Sequence, residues 1–200
     1  MIVVVTLLSL FGGLLYGLSG LDVSLVSAIG NHTDWILYAL MFTVGISIGM
    51  QRGMLSKIRE YHFKIFIIPT GVIIGSFIGG ILCAWLFELP IGHGAAVASG
   101  MGWYSLAGAT ISQMGGAELG SIAFMSNLMR EIFSFVLIPL LAVKLNYYTC
   151  IASAGATSED TTLPVMLKYT NEETVVLSVF NGVICSFFVP LLIPFCFGLL

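Results

Sequence analysis

The sequence predicts an all-α integral membrane protein with about five transmembrane helices and two broken, re-entrant segments of opposite orientation. Hydrophobic residues make up 58% of the 200 residues and charged residues only 8%, whereas an ordinary soluble domain has roughly 25% charged residues. Most of the chain divides into apolar stretches close to the ~20 residues that cross a bilayer. Two further stretches are interrupted by glycine, proline and hydroxyl residues. We therefore expect one membrane domain covering residues 1–200.

Five segments have the composition of spanning helices, namely 2–18, 35–50, 65–87, 118–143 and 174–200. The first has no Lys or Arg that would form the basic region of a signal peptide, so we expect it to be retained as a helix. The loop between the second and third contains Arg52, Lys57, Arg59 and Lys64. The positive-inside rule places this loop in the cytoplasm, so the first helix runs from inside to outside.

The two interrupted segments are 94–116 and 150–167. If both cross the membrane fully, Lys144 lies outside; if both enter and leave on one side, six of the seven Lys and Arg residues are cytoplasmic. The remaining one, Arg130, lies within a helix. Irregular backbone is tolerated at membrane depth where it lines a cavity, and opposed broken segments form the substrate sites of many secondary transporters. The sequence therefore favours a secondary-transporter-like fold with two re-entrant segments.

A polar stripe runs along the predicted helix 118–143. Asn127, Arg130, Glu131 and Ser134 are spaced i, i+3, i+4 and i+7, so they share one helix face. Each charge at the centre of a spanning helix costs about 2.5–3.5 kcal/mol on insertion scales, which favours a partner or a function. We predict that Glu131 and Asn127 bind substrate or protons and that Arg130 is a structural counter-charge to an acid. An internal ion pair that only packs the helices is the alternative.

Asp160 is the second candidate acid. It lies in the polar run Gly155–Pro164, between two apolar stretches, and Thr157 and Ser158 add hydroxyl groups. Pro164 cannot continue a regular helix. We predict that Asp160, Thr157 and Ser158 line the site, and that the adjacent Glu159 is the less suitable acid. The alternative is a solvated loop whose acid caps a helix.

The remaining site candidates are Gly100, Trp103, Tyr104 and Asn181. The glycine-rich run 99–108 lacks the Lys-Ser/Thr ending of a phosphate-binding loop. Its glycines are better explained by close backbone approach to a ligand, and the two aromatic side chains by stacking over an organic cation or by packing. Asn181 shares a helix face with Ser178 and Cys185, as a wall of the site or as a helix contact.

Several classes of site are not expected. The four cysteines are widely spaced and the three histidines isolated, so no metal site, cofactor or zinc motif is predicted. The net charge of −3 comes without a basic run, which argues against nucleic acid as a partner. Apart from substrate, the bilayer itself is the expected environment.

Three runs, in order and at similar spacing, resemble the LysO family of bacterial lysine exporters: Ala98–Leu106, Asn127–Glu131 and Gly155–Val165. The resemblance implies a multi-pass protein of the bacterial inner membrane that exports L-lysine or similar cationic amino acids, and it identifies Glu131 and Asp160 as the intramembrane acids. Family members have further spanning helices at the amino terminus. This chain then resembles the carboxy-terminal portion, and its start at Met1 favours one subunit of a split exporter over a fragment. A short companion membrane subunit, a homo-oligomer or both are the expected partners.

Lysine carries one net positive charge, and moving it outward against the membrane potential costs about 2.3 kcal/mol per 100 mV. Exchange for an inward proton cancels this cost, so we expect proton antiport rather than an enzymatic reaction. Glu131 and Asp160 would hold the lysine ammonium and the proton in turn, while the backbone at 100–102 and 155–157 receives the α-carboxylate. An ion channel or a transporter of another small solute, and a membrane scaffold or intramembrane enzyme, stay open as alternatives.

Overall fold

A computed structural model describes residues 2–20 and 64–199, together with a few isolated positions between them. No strand occurs in these ranges, which confirms the predicted all-α class. The helices are α1 (Ile2–Ser19), α2 (Lys64–Leu86), α3 (Ile91–Ala98), α4 (Tyr104–Lys144), α5 (Tyr147–Ala154), a 3₁₀ turn (Gly155–Glu159), α6 (Leu163–Tyr169) and α7 (Glu172–Phe197).

The chain divides into two compact units, residues 1–44 and 45–200. In the first unit, α1 has 18 residues and no charged side chain, and large apolar residues such as Leu8 and Phe11 are exposed. That composition suits a lipid environment. The predicted span 35–50 and the basic loop 51–63 lie outside the described residues, apart from isolated positions in 35–50.

Among the described residues of the second unit, three helices are long and apolar enough to cross a membrane: α2 over residues 65–86, α4 and α7. Their outward faces carry large apolar side chains, such as Ile67, Trp85 and Phe195, which lipid chains can cover. The predicted spans 65–87 and 174–200 correspond closely to α2 and α7. The total number of spans and their orientation stay predictions.

Helix α4 is two helices joined at Gly116. Its 41 residues would extend about 60 Å at 1.5 Å per residue, twice the ~30 Å hydrocarbon core. Gly116 interrupts the helix with φ 88° and ψ 167°, a conformation that glycine adopts without strain. The second half of α4, after Gly116, matches the predicted span 118–143, and the first half belongs to the interrupted segment 94–116.

The same order of elements occurs twice in the second unit. A short helix (α3), a break at 99–103 and the first half of α4 precede the long second half of α4. A short helix (α5), a break at 155–162 and the short α6 precede the long α7. Each interrupted segment of the sequence therefore contains two helical pieces with an interruption of regular α-helix between them, and their re-entrant orientation stays a prediction.

Close backbone contacts and an apolar cluster fix the breaks relative to the long helices. Gly80 of α2 and Gly94 of α3 approach so closely that a Cβ atom on either would collide with the carbonyl oxygen of the other. Beneath the second break, buried apolar side chains from α2, α4, α5, α6 and α7 form one cluster: Ile65, Ile138, Cys150, Ile151, Ala154, Met166, Leu177 and Phe180. Both breaks thus lie on a closely packed support.

Candidate functional site

The two breaks contact each other directly, and we call residues 99–103 together with 155–162 the crossing. The amide of Ala156 donates a hydrogen bond to the carbonyl oxygen of Met101 at 2.9 Å. Gly155 (φ 63°) packs against the same carbonyl, so closely that a Cβ atom would overlap it, and Gly102 packs against the methyl group of Thr157. Met101, with φ 48°, adopts the left-handed conformation, which is uncommon outside glycine. The crossing is therefore a joint of main chain against main chain.

Asn127 of α4 holds the first break closed. Its Nδ2 donates to the carbonyl oxygens of Val97 and Ala123, both at 2.9 Å, and its Oδ1 accepts from the amide of Gly102 at 2.8 Å. A Cβ atom on Gly100 would lie 2.6 Å from the Asn127 Nδ2. Asn127 thus replaces the helical hydrogen bonds that the break loses, and Gly100 leaves room for it.

Asn181 of α7 binds the second break as Asn127 binds the first. Its Nδ2 donates to the carbonyl oxygen of Gly155 and to the hydroxyl of Ser158, both at 2.9 Å. Ser158 and Ser178 exchange hydroxyl-to-carbonyl hydrogen bonds of 2.8 Å. Both amide donors of Asn127 and of Asn181 are therefore committed to the protein, and only their oxygens could contact a ligand.

Glu131 is the most unusual group near the crossing. Its side chain is 1% exposed, and its Oε1 has no hydrogen-bond partner. The hydroxyl of Thr161 is a neighbour of this carboxyl group but the two do not meet hydrogen-bond geometry, and Thr161 Oγ1 is also buried without a partner. In the described ranges, Glu131 Oε1 and Thr161 Oγ1 are the two buried side-chain oxygens without a hydrogen-bond partner. Burying an unpaired carboxylate is costly, so the geometry suits a carboxyl group that takes up a cation or a proton.

Asp160 lies in the second break and is near enough to Glu131 for the two carboxyl groups to interact. Its side chain is exposed and accepts a hydrogen bond from the amide of Thr161. Its charge is close enough to act on the Glu131 carboxyl group. Glu159, in contrast, accepts a 2.8 Å hydrogen bond from Ser186 and packs tightly against Gly182. The structure therefore ties Glu159 to α7 and leaves Asp160 open.

Arg130 extends towards both breaks from α4. Its Nη1 donates to the Ser76 hydroxyl of α2 at 2.9 Å, and a Cβ atom on Gly155 would lie 2.9 Å from its Nη2. Within residues 64–199, no carboxylate forms an ion pair with Arg130. Arg130 was predicted to be the counter-charge of an acid, and residues 64–199 contain no acid paired with it.

The remaining predicted site residues have packing contacts. Tyr104 meets the ring of Phe124 edge to face, with 5.2 Å between centroids. Trp103 is half-buried and precedes the first residue of α4. The Thr157 hydroxyl donates to the carbonyl oxygen of Ala154 at 2.9 Å. These contacts leave a direct role in binding untested.

One expectation about the backbone does not hold. The amides of Gly100, Met101 and Gly102 donate to Val97 O (3.4 Å), Ala98 O (3.1 Å) and Asn127 Oδ1 (2.8 Å) respectively. They are not available to a substrate carboxylate, because turn hydrogen bonds and the Asn127 side chain close the break. The amides of Gly155 and Ala156 are likewise used, by Ile151 O and Met101 O.

The chain matches the family model described as lysine exporter LysO over residues 7–197. It belongs to the LysO family. It is 36% identical to the lysine exporter LysO of Escherichia coli over 183 residues, which cover 92% of this chain and 60% of that protein. It is also 35% identical to a putative lysine exporter of Haemophilus influenzae over 168 residues, 80% of this chain and 82% of that protein. No solved structure matches.

These findings confirm the resemblance seen in the three motifs. They make this LysO-family chain a multi-pass protein of the bacterial inner membrane, from a family of transporters. The chain spans about 60% of the length of the Escherichia coli relative.

Two polar residues near the candidate site were not predicted from the sequence. Thr161 faces Glu131, and Ser76 orients Arg130. Ser76 stands alone in the apolar α2, and its partner is 54 residues away, so local spacing offered no signal. Thr161 is adjacent to Asp160 and could have been included with the hydroxyls of its run.

Within the described residues, no group of three His, Cys, Asp or Glu side chains is arranged to hold a metal ion, and Cys83, Cys150, Cys185 and Cys196 are free thiols.

Proposed function

We propose that this chain exports L-lysine, and similar cationic amino acids, from the cytoplasm in exchange for protons, as the carboxy-terminal part of a LysO-type exporter. The single observation that carries the proposal is the Glu131 carboxyl group, buried and without a hydrogen-bond partner on Oε1, beside the joint of two broken helices. Membership of the family and the names of two relatives, both described as lysine exporters, support lysine as the cargo.

A buried carboxyl group can exchange the two cations that the proposed reaction requires. As a carboxylate it needs a positive partner, because an isolated charge in an apolar interior is strongly disfavoured. An ammonium group satisfies it by a charge-assisted hydrogen bond, and a proton satisfies it by neutralising it. Only one of the two can be present at a time, so binding of lysine displaces the proton and binding of a proton displaces lysine.

We propose Asp160 as the first acid that the incoming lysine meets. It is exposed while Glu131 is buried, and its charge acts on the Glu131 carboxyl group. We propose that a lysine ammonium group reaches Asp160 first and that Glu131 then holds an ammonium group at the crossing. Two acids match the two ammonium groups of lysine.

The proposed exporter includes more than this chain. Because the chain spans 60% of the Escherichia coli relative, we propose that a short amino-terminal companion membrane subunit, a second copy of the chain, or both complete it. Expressing the chain alone and then with any short membrane protein encoded beside it distinguishes these arrangements.

Efflux of labelled lysine from cells that lack their own exporters tests the proposal. Glu131→Gln and Asp160→Asn keep side-chain shape but remove the charge, so each is expected to abolish efflux with the protein still inserted. Glu173→Gln is the matched control, since Glu173 is an exposed acid in the first turn of α7, and it should leave efflux unchanged. Full efflux by both acid variants overturns the proposal. Ion-driven flux that is indifferent to lysine would instead identify a channel or a transporter of another small solute.

A further inference from the structure

Arg130 is a cation at the crossing that the proposed exchange does not use. It lies on the same helical turn as Glu131 and extends to the backbone of both breaks, close to Gly155 and within 4.0 Å of where a Cβ atom on Gly102 would be. Its one hydrogen bond in the described ranges goes from Nη1 to the neutral Ser76 hydroxyl. A guanidinium group has five N–H donors, so most of its donors are uncommitted there.

A cation within a membrane protein is costly without an anion, and residues 64–199 supply none to Arg130. Arg130 is half-buried as a residue, and its guanidinium group lies against the backbone of the second break. Its planar fork is suited to two parallel hydrogen bonds with a carboxylate. A carboxylate on the ligand would supply a partner that residues 64–199 do not.

Lysine has the complementary set of charges. It presents one carboxylate and two ammonium groups, while the site presents one guanidinium group (Arg130) and two carboxyl groups (Glu131 and Asp160). The backbone amides of 100–102, 155 and 156 donate to protein acceptors and do not compete for the carboxylate. Each charged group of the substrate thus has one oppositely charged side chain.

We propose that Arg130 binds the α-carboxylate of the exported amino acid and is the residue that distinguishes amino acids from simple diamines. Ser76 is a positioning residue, because its hydroxyl holds Nη1 and fixes the plane of the fork. This inference rests on the proposed function, from which it takes lysine as the substrate. It assigns Arg130 a role beyond that of a structural counter-charge.

The test compares lysine with two analogues that keep both amines and lack the carboxylate: lysinamide and cadaverine. Calorimetric titration of the purified chain, together with any short membrane protein encoded beside it, measures the affinity for each ligand separately. The unaltered chain is expected to bind lysine about 10- to 100-fold more tightly than lysinamide, the range for a hydrogen-bonded charged group. Arg130→Gln should remove this preference by weakening lysine binding, with lysinamide affinity changed much less.

Three further variants separate recognition from folding. Arg130→Lys keeps the charge without the planar fork and should retain part of the preference. Ser76→Ala leaves Arg130 in place but unanchored and should reduce the preference several-fold. Lys144→Gln removes an exposed positive charge from the end of the same helix and should leave the preference unchanged. Because the preference is a ratio of two affinities, it does not depend on the folded fraction of a variant.

The outcomes distinguish this inference from the proposed function. A chain that binds none of the three ligands overturns the proposed function and the inference with it. An unaltered chain that binds lysine and lysinamide equally well, or an Arg130→Gln variant that weakens both by the same factor, overturns the inference alone and makes Arg130 a structural cation. If Arg130→Gln does not fold, an unchanged preference in both Ser76→Ala and Arg130→Lys overturns it equally.

Discussion

Replacing Asn127 with alanine should destabilise the chain by about 2–4 kcal/mol. The change removes three hydrogen bonds, to Val97, Ala123 and Gly102, each with a net contribution of about 0.5–1.5 kcal/mol. The Gly102 amide, which is buried, is then left without an acceptor at a cost of about 1–3 kcal/mol. These values overlap in part, because the lost bond at Gly102 is counted in both, and the range allows for that.

Reversible unfolding of the purified chain in mixed micelles measures this free energy of unfolding. Ser121→Ala is the matched control on the same helix, because Ser121 is exposed and donates one local hydrogen bond to Ala117 O. It should change stability by less than about 0.5 kcal/mol. An Asn127→Ala variant as stable as the Ser121→Ala control would refute the conclusion that Asn127 closes the first break.

Three further predictions concern the second break and the acids. Gly155→Ala should lower the free energy of unfolding by at least about 2 kcal/mol, because alanine is strained at φ 63° and its Cβ would overlap Met101 O. The control Gly75→Ala has open space around it and should be neutral. Equal stability of the two variants would contradict the close packing of Gly155 against Met101. Glu159→Gln should retain lysine efflux within about twofold, because the glutamine oxygen can still accept the hydrogen bond from Ser186 and weakening one hydrogen bond has a small effect. Loss of efflux as complete as in Asp160→Asn would show that Glu159 is a transport acid. Asn181→Ala should destabilise the chain to about the extent of Asn127→Ala, because two buried hydrogen bonds are lost, and a change under 0.5 kcal/mol in the unfolding assay would contradict its role.

Much of the fold could be predicted because the bilayer allows few solutions. The all-α class and the positions of α2 and α7 followed from apolar length alone, and the interruption of 94–116 and 150–167 followed from glycine and proline in otherwise apolar runs. The contact between the two breaks could not be derived in the same way. It depends on Ala156 and Met101, which are 55 positions apart and chemically unremarkable in the sequence.

The sequence singled out residues that the structure brings near the crossing, and their roles in binding stay predictions. Charge in an apolar helix identified Glu131, and a polar run identified Asp160. The amides of Asn127 and Asn181 were expected to face a ligand, but tertiary contacts commit their donors to the backbone of the breaks. A single sequence does not show which partner an asparagine side chain binds, since a substrate and a broken helix both have oxygen atoms that can accept its hydrogen bonds.

Exchange of lysine for protons at Glu131 can be measured directly in vesicles. Vesicles containing the chain, together with any short membrane protein encoded beside it, can be prepared with an acidic interior and labelled lysine outside. Lysine is expected to accumulate in these vesicles, an ionophore that collapses the pH difference should abolish the accumulation, and Glu131→Gln vesicles should accumulate none. Accumulation that is equal with and without the pH difference, or equal in the Glu131→Gln variant, would contradict proton exchange at Glu131.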